Sequence, residues 1–209
     1  EARTSRMDLD TTRSKNAYQR IITEFEDGEI DILVGTQMVT KGLDFDNVSL
    51  VGVLNADHMI NFPDFRSFER AYQLMTQVAG RAGRKKKRGE VVIQTYNPEH
   101  WVIKLVIDND FMGLYNHERV ERKNFLYPPY YRLIRIALKH KELNTVMQAS
   151  NAFAQELREK LGERVVGPET PYVSRIRNQF IRQILIKIER DTNPATVKKV
   201  IRDQQKSFF

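Results

Sequence analysis

Two short segments carry residues suited to phosphate chemistry. The first is Gln77-Val78-Ala79-Gly80-Arg81-Ala82-Gly83-Arg84. Arg81 and Arg84 stand three apart, so they project the same way if the helix predicted before them continues through both. Each guanidinium is a permanent planar fork matched to phosphate oxygens, and such a pair is what a transferring γ-phosphoryl group needs for charge stabilisation. The plain alternative is a basic surface loop. The second segment is Gly35-Thr36-Gln37-Met38-Val39-Thr40-Lys41-Gly42-Leu43-Asp44-Phe45. It begins where an apolar run ends, and ligands of open α/β sheets bind beyond the carboxyl ends of strands. Gly35 and Gly42 let backbone approach a phosphate, while Thr36, Gln37, Thr40 and Lys41 offer donors. Here the plain alternative is a turn and nothing more.

The elements around these segments read as follows. Thr4–Met7 is a short strand, Asp10-Thr11-Thr12 a helix N-cap cluster, and Ala17, Ile21, Ile22 and Phe25 recur at helical spacing until Gly28. Ile30–Val34 and Val48–Leu54 read as buried strands and Val91–Tyr96 as a third strand, with a helix over Ser67–Val78. Strands separated by helices predict an α/β fold with a parallel sheet. After Asn97-Pro98, helices are expected near Glu99–Ile107 and Phe111–Asn124, ending at the rigid break Tyr127-Pro128-Pro129-Tyr130. A strand (Tyr131–Lys139), a helix (Leu143–Leu161), a short strand (Arg164–Val166), a hairpin within Tyr172–Arg190 turning near Arg177-Asn178, and a helix from Pro194 complete a small α+β domain. The resulting division is 1–108, a connector over 109–130, and 131–209. Neither internal repeats nor low-complexity segments occur.

Charge is unevenly spread. The chain has 34 Lys and Arg against 27 Asp and Glu. Residues 1–108 carry 15 basic and 16 acidic side chains, and 109–209 carry 19 and 11, a balance of +8. That asymmetry points to an acidic partner, nucleic acid first, with a merely soluble basic surface as the plain reading. On the hairpin, Arg175, Arg177, Arg182 and Lys187 are basic, and alternation would aim Arg175 and Arg177 together as a DNA-binding face. Lys85-Lys86-Lys87-Arg88 reads as a solvated turn or a DNA contact. Tyr127, Tyr130 and Tyr131 either stack bases or pack at a junction, and packing is the favoured reading. Trp101 is expected in a core, and the four histidines at the surface or as caps.

Composition excludes several classes. With no cysteine, disulfides, thiolate catalysis and Cys-ligated metal sites are out of reach of this chain. The histidines have no metal-ligand spacing, so no metal site is expected. No apolar stretch approaches the ~20 residues of a membrane span. No leader opens the chain, so a cytoplasmic location is the default expectation. Glu1 in place of an initiator Met leads to the expectation of a piece of a longer protein.

Together the two phosphate segments resemble motifs V and VI of superfamily 2 helicases. The run Gly35–Asp57, then Asn61-Phe62-Pro63-Asp64-Phe65-Arg66-Ser67-Phe68-Glu69-Arg70 and Gln73–Arg84, is similar to the PriA family of primosomal, replication-restart helicases. Arg6–Thr12, Gln94–His100, Tyr127-Pro128-Pro129-Tyr130 and Val166-Gly167-Pro168 extend the resemblance over essentially the whole chain. It implies the end of a RecA-like second motor lobe followed by the family's C-terminal domain. It further implies an ATP-dependent enzyme moving 3′ to 5′ on DNA, acting at stalled replication forks and in primosome assembly. Gln77, Arg81 and Arg84 would then face the nucleotide, with either arginine as the finger. Gly35, Thr36 and Lys41 would lie near the DNA backbone, and Gly42 and Asp44 near the lobe interface. Asp44 would bond either the nucleotide ribose or an arginine. Many relatives carry an arginine where this chain has Val78, so any phosphate contact made there is lost.

The phosphate-binding loop and the magnesium-binding acidic box are absent from this sequence. By resemblance they belong to a first lobe, which would bind most of ATP with Mg2+. A zinc-binding, cysteine-rich insertion would likewise lie outside this chain. The 209 residues alone are therefore expected not to hydrolyse ATP. Forked and single-stranded DNA, primosome proteins and single-strand-binding protein are the implied partners. The rival reading is a non-enzymatic module whose basic domain binds DNA or primosome partners.

Overall fold

The computed structural model describes residues 1–8, 14–36, 48–80, 82 and 89–208. The chain forms two compact units, Glu1–Tyr115 and Asn116–Phe209. Helices and strands mix in both, in accord with the α/β reading.

In the first unit the order is β1 (Thr4–Met7), α1 (Lys15–Glu26), β2 (Ile32–Gly35), β3 (Leu50–Val53), α2 (Ala56–Ile60), α3 (Ser67–Ala79), β4 (Glu90–Ile93) and α4 (Trp101–Ile107). A further helix, α5 (Phe111–Asn124), runs on past the unit's last residue. Both strand pairs are parallel: β1 with β2, from Thr4↔Ile32 to Met7↔Gly35, and β3 with β4, from Leu50↔Glu90 to Val53↔Ile93. Helix α1 starts where Ser14 Oγ accepts the Ala17 N–H at 3.1 Å, and Gly28, at φ +75°, takes the left-handed turn after its end. The expected cap cluster Asp10–Thr12 lies outside the described residues, and Ser14 is the cap.

Among the described residues, two cores hold this unit. Met7, Ile21, Ile22 and Ile30 make a small one under α1. A larger one gathers Val53, Ala56 and Ile60 with Ala71, Tyr72 and Met75 of α3 and Val102, Ile103 and Val106 of α4. The apolar runs are less covered than the sequence led us to expect. Ile32, Val34, Leu50, Leu54 and Val92 are exposed, so the strands are not the fully buried ones that continuous apolar runs predict. Helix α2 is an element that the apolar pattern did not reveal.

The second unit is built on antiparallel pairing. Its elements are β5 (Tyr131–His140), α6 (Leu143–Leu161), a 3-10 turn (Gly162–Arg164), β6 (Val165–Glu169), β7 (Arg175–Ile176), β8 (Gln179–Glu189) and α7 (Pro194–Phe208). The strand order is β5-β8-β6, with β7 also on β8. Isoleucines 184, 186 and 188 alternate onto one face of β8, where they meet Val146, Phe153 and Leu157 of α6 and Val197 of α7. Phe153 and Phe208 rings pack 5.2 Å apart. The sequence placed β5, α6 and the start of α7 within a residue or so.

Candidate functional site

Gly35 and Thr36 sit at the carboxyl end of β2, and both are exposed. The opposite end of the strand is fixed by Arg3. Its guanidinium donates to both Asp31 oxygens and to the Gly28 carbonyl, and its backbone N–H donates to Asp31 Oδ2 at 2.7 Å. These bonds hold the Asp31 carboxyl down at about 2, the Arg3 side chain contributing most and its backbone next. Thr36 thus stands just beyond the carboxyl end of β2, the side of an open α/β sheet on which ligands bind in general. Lys41, Gly42 and Asp44, the rest of that segment, lie outside the described residues.

Helix α3 carries the second segment. Ala71, Tyr72 and Met75 face the core, which turns Gln77, in the last turn, to the exposed side. At the start of α3, Asp64 accepts the Arg66 N–H at 2.9 Å and pairs with Arg70 at 3.3 Å. Gly80 closes the helix, donating its N–H to Thr76 O at 3.0 Å. Arg81 and Arg84 lie outside the described residues, and so does the expectation that they project together.

A third group was not foreseen. Asp57 of α2 follows β3, and Thr95 and Tyr96 follow β4. The Asp57 carboxylate accepts the Thr95 hydroxyl at 2.9 Å and the Tyr96 N–H at 3.0 Å. The Tyr96 N–H is the largest influence holding this carboxyl below its ordinary value, opposed by partial burial and aided by Thr95. Two strand ends are thereby tied together, and Tyr96 is left 97% exposed. Asn55, at φ 56°, sets up the turn and caps α2 by accepting the His58 N–H at 3.2 Å. The signal in sequence was weak: an Asn and an Asp just after an apolar run. His100 caps α4 by accepting the Val102 N–H at 3.2 Å. Burial lowers its pKa, against the pull of Asp57. Trp101 packs edge-on to Phe68 at 5.0 Å, in line with its expected core role.

In the second unit the hairpin corrects the sequence reading. Its turn is Arg177-Asn178, where expected, and both residues have positive φ, 47° and 62°, the backbone that two-residue hairpin turns favour. Arg177 therefore belongs to the turn and does not share a strand face with Arg175. Both are exposed. Arg175 reaches over the Phe180 ring, 4.7 Å from its centroid, and bonds Asn178 Oδ1. Arg182 and Lys187 are committed to the fold. Arg182 donates to Thr170 Oγ1 and Pro168 O, each at 2.8 Å. Lys187 donates to Phe125 O at 2.6 Å and lies 4.1 Å from the Tyr127 ring centroid. Burial lowers its pKa. For Tyr127, packing is what the structure has.

Of the residues quoted for the resemblance, those that are described fall on or beside the helices and strands given above, and comparison with known proteins follows. Residues 3–86 match the helicase conserved C-terminal domain, which defines the class of the first unit. Residues 123–208 match the primosomal protein N C-terminal domain. Relatives over most of the chain include the replication restart protein PriA of Bacillus subtilis, 43% identical over 203 residues, covering 96% of this chain and 25% of that protein. That of a Synechocystis strain is 42% identical over 199 residues, 94% of this chain and 23% of that protein. The Thermotoga maritima protein is 35% identical over 187 residues, 90% and 25%. The chain belongs to the PriA family and spans about a quarter of the length of the curated relatives it matches. No helix among the described residues is long and apolar enough to cross a membrane.

Proposed function

We propose that this chain is the motor-lobe end and C-terminal domain of an ATP-dependent DNA helicase that moves 3′ to 5′ and restarts stalled replication forks in the bacterial cytoplasm. The observation that carries this reading is that the two family matches fall each within one structural unit of a single chain, a helicase domain in the first and a primosomal domain in the second. Gln77 fits one side of a nucleotide: it is an amide on the exposed side of the last turn of α3, with Gly80 keeping bulk away beside it. Arg81 and Arg84 complete that side, and ATP with Mg2+ supplies the phosphoryl group. The partners of the metal, and the zinc of the family, belong to other parts of the intact protein. Gly35, Thr36 and Lys41 contact the DNA backbone, and Gly42 and Asp44 lie toward the lobe interface. Arg175 and Arg177 contact DNA from the hairpin. Forked and single-stranded DNA, single-strand-binding protein and other primosome proteins are the partners.

The test is made in the intact protein. Arg81→Ala and Arg84→Ala are each expected to lower DNA-stimulated ATP turnover by about 10²-fold or more, with DNA affinity largely kept. Unchanged turnover in both variants would overturn the assignment.

A further inference from the structure

The helicase reading gives no role to the segment Asn61–Arg70, whose polar side chains gather on Asp64. One oxygen of this carboxylate, Oδ1, accepts the Arg66 N–H at 2.9 Å, and the other pairs with Arg70 Nη1 at 3.3 Å. Arg66 Nε stands 3.9 Å from Oδ1, and its guanidinium lies over the Phe65 ring, 5.4 Å from the centroid. Glu69, the next carboxylate along, accepts from the Gln73 amide at 3.4 Å. One carboxylate therefore orients two guanidiniums, and their side chains stay 47% and 50% exposed. Each keeps most of its five donors for another acceptor. Exposed ion pairs contribute little to stability, so the fold gains little from holding both arginines there.

A second feature stands nearby. Tyr96 follows β4 and is 97% exposed, yet its backbone is fixed. The Tyr96 N–H and the Thr95 hydroxyl both donate to Asp57, and the Asn97 N–H donates to Thr95 Oγ1 at 3.1 Å. The ring is held clear of the fold. Phe68, two residues after Arg66, packs on His100, four residues after Tyr96, with centroids 5.8 Å apart. Helix α2 closes the same corner, its Ala56 N–H donating to Gln94 O at 2.9 Å. The arginine pair and Tyr96 thus share the carboxyl ends of β3 and β4, the side on which open sheets bind ligands in general. Arg70 precedes Gln77 by seven residues, about 10 Å along α3, which separates the pair from the phosphoryl group proposed near Gln77.

We propose that this corner is a single-stranded DNA site, in which Arg66 and Arg70 hold phosphates and Tyr96 stacks a base. An aromatic platform beside cations is the combination that binds single strands without reading their sequence. Paired guanidinium forks suit phosphate oxygens, and Asp64 is their positioning residue. The proposal rests on the helicase reading for DNA as the polymer, and it adds residues outside the two phosphate segments.

The test is the anisotropy of a labelled oligothymidylate with the intact protein across a salt series. Arg66→Gln combined with Arg70→Gln should lower the slope of log affinity against log salt by about 1.4. Arg66→Lys with Arg70→Lys should restore the slope, because the charges are kept. Tyr96→Ala should weaken binding about fivefold or more, while Tyr96→Phe keeps the ring and should match the unaltered protein. A merely structural arginine pair would move the unfolding midpoint and leave the slope where it was. That result, or full affinity in Tyr96→Ala, would overturn the proposal. Unaltered protein that binds no oligothymidylate would overturn the helicase reading along with it, whereas normal binding by every variant would sink this site alone. A crosslink covers the case in which a variant does not fold. An oligonucleotide carrying 5-iododeoxyuridine, irradiated on the unaltered protein, should attach at Tyr96. Attachment only elsewhere would show that no base stacks there.

Discussion

The Asp31 carboxylate receives three hydrogen bonds from Arg3, and its titration follows from them. Its folded pKa, about 2, lies below the ordinary 3.8. A depressed carboxylate contributes stability above its unfolded pKa and loses it as pH falls through the folded one. This contact therefore weakens between 3.8 and about 2. Arg3→Ala should return the Asp31 titration toward 3.8 in carboxyl NMR; an unmoved midpoint would show another cause. Lys187 is the counterpart in the second unit. Lys187→Met keeps the aliphatic stem but loses the bond to Phe125 O and the contact with Tyr127. A cost of about 1–2 kcal/mol is expected in urea unfolding. A shift within error would mean that the ammonium is solvated as well without those partners.

At the level of elements, the hairpin between β7 and β8 tells the most. Arg177 bears a positive φ that side chains with a Cβ rarely adopt. Arg177→Gly should relieve up to about 1 kcal/mol and, if the arginine holds a phosphate, weaken DNA binding at the same time. Stability and affinity moving in opposite directions, read by unfolding and anisotropy, would separate a functional arginine from a decorative one. The same position shows where sequence reading stopped. The turn was legible at Arg177-Asn178, but alternation placed Arg177 on a strand that ends at Ile176. Helix α6 was legible to the residue, because its apolar positions repeat over 19 residues and Gly162 stops it. Short strands such as β2 were legible in place but not in burial. An apolar run records what a strand can cover, and Ile32 and Val34 are exposed. The tie of Asp57 to Thr95 and Tyr96 spans 38 and 39 residues, so no local pattern announces it. The segment of Lys41, Gly42 and Asp44, with Arg81 and Arg84, was read from residue type and resemblance.

Across the whole molecule, the two units keep separate cores, and changes in one should be read in that one. Phe153→Ala is expected to cost the second unit about 3–5 kcal/mol, seen as lost amide protection from α6 to α7 with the first unit's amides unaltered. Loss of protection in both would show that they unfold as one. If the +8 balance of residues 109–209 serves nucleic acid, as proposed, its grip is salt-sensitive. Neutralising Arg175 and Arg177 together should lower the slope of log affinity against log salt by roughly 1.4 for single strands if each meets one phosphate. An unaltered slope would remove the hairpin from the DNA path. One last property follows from the packing of Trp101. It is the chain's sole tryptophan, it lies edge-on to Phe68 of α3, and its indole stacks near the His100 imidazole at 6.0 Å. Its emission is thus a built-in optical gauge of the helix that carries Gln77. A protonated imidazole quenches a neighbouring indole, and burial delays that protonation, so dimming should set in only at a pH below the ordinary histidine range. Any event that shifts α3 would change colour and brightness without a label being attached.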